Sequence, residues 1–199
     1  MKNNEPSLTH APAKSRVRVY VEVALNFLIF KGAWWACVLG AMWGRPLLGV
    51  ICTLPALIAH MVMVKDFKRE SIVILVAGLY GYLFDSAYVL MGVQSFPENT
   101  QLLGPSPLWM VMLWMGFGAC VRTALRFLFE RPFWALLSGA IIGPMSYRGG
   151  ESLGPISIRE GFWQGDIYLI VMWALAMLLF CALLKFTDGL KDQVKNLEA

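Results

Sequence analysis

Six apolar stretches of roughly membrane-spanning length restrict this chain of 199 residues to one class of fold. They run Val21–Gly44, Pro46–Val64, Ser71–Met91, Leu108–Phe129, Pro132–Tyr147 and Asp166–Phe186. At ~1.5 Å per helical residue, five of them reach across a hydrocarbon core of ~30 Å. The fifth covers only ~24 Å by the same rise, so a short, broken or re-entrant helix is expected there. The sequence therefore predicts an all-α integral membrane protein, a six-helix transmembrane bundle. Charged residues are 15% of the chain, well under the ~25% of soluble domains. No stretch of soluble composition exceeds about 20 residues, too few to bury a core of its own. One membrane domain is expected over residues 21–186, between a basic N-terminal tail (1–20) and a C-terminal tail (187–199).

Lysine and arginine sort to alternate ends of these segments. Twelve of the 17 fall at one end: Lys2, Lys14, Arg16, Arg18, then Lys65, Lys68, Arg69, then Arg126, Arg131, then Lys185, Lys191, Lys195. Arg45, Arg148 and Arg159 fall at the other, and Lys31 and Arg122 lie inside segments. Positive charge marks the cytoplasmic side, so both termini are expected to be cytoplasmic. The first segment is too long for a signal peptide and lacks an Ala-x-Ala-like exit, so it is expected to remain as a span. The net charge of +4 sits in short flanks, where it meets anionic lipid headgroups and sets topology. Membrane lipids are the expected partners, and nothing points to nucleic acid.

Polar side chains inside a bilayer are costly and serve as functional candidates. Counted from the cytoplasmic end, Asn26, His60, Arg122 and Arg126 fall at similar depths, ~5–10 Å in. Two arginines four residues apart suit a phosphate or carboxylate, because guanidinium donates paired hydrogen bonds. These four residues are candidates for a ligand-binding pocket that opens to the cytoplasm. Deeper sit Lys31 and Asp85, ~15 and ~21 Å from the same side, close enough in depth for an intramembrane charge pair. Asp85 shares a stripe with Gly78 and Gly81, and Gly139 with Gly143 forms a second small-residue face. All four glycines are expected at helix contacts. Gly143-Pro144 is expected to end the fifth helix. The glycine-rich stretch 147–165 then reads as an extracytoplasmic loop.

Signatures of catalysis are mostly missing. Cys37, Cys52, Cys120 and Cys181 sit in separate apolar segments with no ligand spacing, so no metal site or cofactor is expected. A membrane diiron site needs several histidines, and the chain has His10 and His60. No histidine follows Ser138 to activate it as a nucleophile.

Five motifs recur in the order of a known family: Asn26-Phe27-Leu28-Ile29-Phe30, Trp34-Trp35-Ala36-Cys37-Val38-Leu39-Gly40, Phe84-Asp85-Ser86, Pro107-Leu108-Trp109 with Leu113-Trp114, and Gly143-Pro144-Met145-Ser146-Tyr147. Over about Leu25–Gly154 the chain resembles a domain-of-unknown-function family (2878) of bacterial inner-membrane proteins. The family has no established activity. Its members are often encoded beside fatty-acid cyclopropanation-type enzymes, so the resemblance implies lipid-modifying enzymes or other membrane proteins as partners and the bacterial inner membrane as location. The family pattern carries a neutral Gln where this chain has Lys31. The Gly81-to-Asp85 run looks, by fold analogy alone, like vitamin-uptake substrate-binding subunits and a rod-shape membrane protein. The leading functional expectation is a non-catalytic protein that binds or moves a small or lipidic molecule, or assists lipid modification. The alternatives are a non-metal membrane enzyme acting on lipids and a scaffold without a ligand.

Overall fold

In the computed structural model, residues 13–101 and 104–197 are described. The first twelve residues of the basic flank, with Lys2 and His10, lie outside them. Among the described residues there are six long α-helices and one short one: α1 (Ala13–Met42), α2 (Leu47–Met63), α3 (Phe67–Leu90), α4 (Leu108–Val121), α5 (Arg126–Phe129), α6 (Pro132–Ser152) and α7 (Ile167–Leu197). Local chemistry sets several boundaries. Gly44 and Gly92 adopt φ of 65° and 67° just past α1 and α3. At both, two backbone bonds close the helix end, Arg45 N–H to Gly40 and Gly44 N–H to Ala41, then Val93 N–H to Tyr88 and Gly92 N–H to Val89. That left-handed closure favours glycine, the one residue without a Cβ penalty. Asp66 starts α3 by accepting the Arg69 N–H at 3.2 Å, and Pro132 opens α6 where no N–H is needed.

Short turns make α1–α2 and α2–α3 antiparallel neighbours. The most extensive packing is within the pairs α1–α2, α3–α4 and α6–α7, and α4 also lies against α1 and α2. Helix α4 is the axis of the bundle; Trp109, Trp114, Cys120 and Val121 on it are all buried. Two strands, β1 (Gln94–Ser95) and β2 (Ser157–Ile158), pair antiparallel across the two long connections, with Gln94 opposite Ile158. This ladder marks one end of the bundle. The other end gathers the α2–α3 turn, the end of α4, and Asp188 on α7.

At each of the four stripe glycines a neighbouring helix leaves no room for a Cβ. A Cβ on Gly81 would overlap the Trp114 ring, and one on Gly78 would sit 2.7 Å from Met115. A Cβ on Gly143 would overlap the Trp173 ring, and one on Gly139 would lie 2.9 Å from the Trp173 carbonyl oxygen. Close backbone approach thus joins α3 to α4 and α6 to α7.

The expected short fifth helix is a correction. Helix α6 runs unbroken through Pro144 to Ser152, ~31 Å by the helical rise. Proline removes one backbone bond there, but the turns beyond it are anchored. The Tyr147 hydroxyl donates to Asp85 at 2.7 Å, and Arg148 bonds Glu151 and Asp166. Helix α4 is the one that stops early, at Val121, giving ~21 Å. Thr123 folds its hydroxyl back to the Ala119 carbonyl at 2.8 Å, a contact that bends and weakens helices. Arg122 turns away to reach α7. Helix α7 continues through Thr187 and Asp188 rather than ending at Phe186.

Candidate functional site

Asp85, fully buried on α3, sits behind the glycine contact of α3 and α4. Three donors converge on its carboxylate: Tyr147 Oη at 2.7 Å and Gln94 Nε2 at 2.8 Å on Oδ1, and Trp114 Nε1 at 3.0 Å on Oδ2. A buried carboxylate needs such partners. The expected pair with Lys31 is not formed: Lys31 places its Nζ 5.4 Å from the Trp34 ring centroid instead. The reason is geometric. Helix α4 and its Trp114 fill the space beside Asp85, and α1 packs on α2 and α4.

The structure does bring Asn26, His60, Arg122 and Arg126 into one network. Asn26 donates Nδ2–H to His60 Nδ1 at 3.1 Å, and His60 Nε2 meets Glu70 Oε1 at 2.8 Å. This order fits the tautomer with its proton on Nε2. Glu70 Oε2 lies 3.4 Å from Arg122 Nε. Arg122 donates to Asp188 Oδ1 at 2.9 Å and to Thr187 at 2.7 Å, and Arg126 donates to Asp188 Oδ2 at 3.0 Å. Arg69 bonds both Asp66 and Asp188. Protein carboxylates therefore already occupy the donors expected to hold an anion. The open pocket expected beside these residues is a cavity of about 20 Å³ next to Asn26 and His60, room for about one water molecule. Glu70, Asp188 and Thr187 were invisible as members because each sits at a segment edge, where the sequence reads as solvated flank. One signal existed for Tyr147, its four-residue spacing from Gly139 and Gly143.

The large cavity lies elsewhere. About 470 Å³ opens between α1 and α6, two helices that do not pack extensively on each other. Its floor is buried Trp109, Trp114 and Tyr147; its rim is exposed Phe27, Phe127 and Ile142. Along α1 it extends from Phe27 to Val38, ~17 Å by the helical rise. Among the described residues Lys31 is the one charged residue that lines it. Trp109 Nε1 and Trp173 Nε1, both on residues of its wall, are buried without an acceptor. Among the described residues no group of three His, Cys, Asp or Glu could hold a metal ion, and the four cysteines are unpaired.

Three helices, Val23–Met42, Phe67–Leu90 and Phe162–Leu190, are long and apolar enough to cross a membrane. With polar networks enclosed between helices, they mark a helical membrane protein. The chain belongs to DUF2878, a family described as a protein of unknown function, whose model matches residues 23–179. No curated protein and no solved structure matches it.

Proposed function

We propose that this is a multi-pass bacterial inner-membrane protein that crosses the bilayer six times and binds or moves a small or lipidic molecule in the cleft between α1 and α6. The twelve-to-three charge asymmetry supports cytoplasmic termini. The observation that carries the reading is the cavity itself. Its 470 Å³ falls within the ~300–1,000 Å³ of pockets that enclose small molecules. It is walled by aromatic side chains, and its rim lies on the lateral surface of the helices, the face that a bilayer would cover with acyl chains. The unpaired indole donors of Trp109 and Trp173 favour a ligand that carries an acceptor oxygen. A scaffold built on glycine faces is disfavoured, because Gly78, Gly81, Gly139 and Gly143 are spent on contacts within the chain.

Native mass spectrometry of the full chain, purified from membranes in neutral detergent, tests the reading. The expected result is a retained small-molecule or lipid mass that Ser138→Trp, which adds an indole to the cavity wall, removes or weakens. A bare chain from the unsubstituted protein, or an adduct that Ser138→Trp leaves in place, rejects a ligand in this cleft.

A further inference from the structure

Lys31 lies on the wall of a cavity that is otherwise apolar or neutral, five residues along α1 from Asn26, ~7.5 Å deeper than the polar network by the helical rise. Among the described residues no carboxylate lies within ion-pair distance of it, and Asp85 is taken by three other donors. Its recorded partner is the face of Trp34, itself a cavity residue. Lys31 is exposed at the mouth of the cavity, whereas the buried carboxylates are satisfied inside the bundle, Glu70 by Arg122 and Asp85 by its three neighbours. An ammonium left without an anion at this depth is the kind of intramembrane charge that marks a ligand or ion pathway. From Lys31 the aromatic-walled slot runs along α1 to Val38, ~10 Å by the helical rise. A chain-like apolar body fits that shape, and Lys31 supplies the missing counter-charge for one end of it.

Resting on the ligand-binding reading above, we infer that the cleft takes a single-chain anionic amphiphile, its oxyanion head on Lys31 and its apolar chain along the slot toward Val38 and Trp109. Carboxylate and phosphate monoester heads share the required chemistry, because either accepts a charge-assisted hydrogen bond from an ammonium. The open rim between Phe27, Phe127 and Ile142 lets such a molecule enter sideways, with no aqueous path.

The test is equilibrium binding of decanoate, decyl phosphate and decan-1-ol to the full chain in neutral detergent. Lys31→Gln, Lys31→Arg and Ser138→Trp are measured alongside. A hydrogen bond to a charged group corresponds to about tenfold or more in affinity. Both or one of the anions should therefore bind at least ~10-fold more tightly than the alcohol, and which one wins names the head group. Lys31→Gln should lower the anions to the level of the alcohol without weakening the alcohol, and Lys31→Arg should retain the preference. If the alcohol binds as well as both anions, or if Lys31→Gln keeps the discrimination, the head-group inference fails while the cavity stands. If none of the three binds saturably, or if Ser138→Trp binds all three normally, the cavity reading fails and this inference with it.

Discussion

Asp85 and Arg122 show how much a single side chain carries in this bundle. Asp85→Leu strands the Tyr147, Trp114 and Gln94 donors in a dry interior, at ~1–3 kcal/mol for each unpaired group. Asp85→Asn keeps one acceptor oxygen but turns an amide N–H₂ toward a remaining donor, so its loss should be smaller. Thermal unfolding in detergent should rank wild type above Asn above Leu, and a Leu variant as stable as wild type would show that the carboxylate does not organise these helices. The two arginines differ by exposure. Arg122 is 8% exposed and holds both Glu70 and Asp188; Arg126 is 41% exposed. Arg122→Ala leaves Glu70 buried without its cation and should cost about 3–5 kcal/mol, whereas Arg126→Ala should stay within about 1 kcal/mol. Chemical unfolding of the two variants side by side checks this. Equal losses would mean that the network is governed by Asp188 rather than by the buried pair.

Among the elements, helix contact rather than helix propensity governs α3, α4, α6 and α7. Gly81→Ala and Gly143→Ala drive a methyl into the Trp114 and Trp173 rings, and overpacking of this kind costs ~1–3 kcal/mol. Gly189 on α7 is the control, since nothing lies within 4 Å of a Cβ built there. Gly189→Ala should stabilise by about 0.5–1 kcal/mol through helix entropy alone. Melting temperatures that fall for the first two and rise for the third separate packing from propensity; a uniform rise would mean that the helices part freely. Pro144 belongs at this scale as well. The helix continues through it because Tyr147 and Arg148 pin the turns beyond, so Pro144→Ala should leave the fold intact, as circular dichroism would report. A loss of helix on removing the proline would show that its ring, and not those anchors, fixes the course of α6.

For the molecule as a whole, the N-terminal half of α1 and the C-terminal part of α7 share one end of the bundle: Asn26 meets Thr123 there, and Thr187 meets Arg122. The ladder end holds the α1–α2 turn, where Gly44 closes against Asn99. Reporters inserted at 64–66 and within 92–107 should therefore report opposite sides of the membrane, the first cytoplasmic by the charge rule. Matching signals from the two sites would rule out a full crossing by α3.

The sequence alone determined the apolar segments and their small-residue spacing, because both are properties of single segments, but not where α4 and α6 end. Counting residues along each helix also set Asn26, His60, Arg122 and Arg126 at similar expected depths. What it left open was azimuth and partner. Lys31 and Asp85 are matched in depth, yet α4 stands beside Asp85 with Trp114 and sends it other donors. Arg122 and Arg126 meet Asp188, which stands on a helix that outruns its apolar stretch. The α1–α6 cleft exists because neither helix packs extensively on the other, and no local pattern encodes a contact that is not made. Those outcomes were decided by how seven helices share one volume, where close packing around α4 fixes which faces meet.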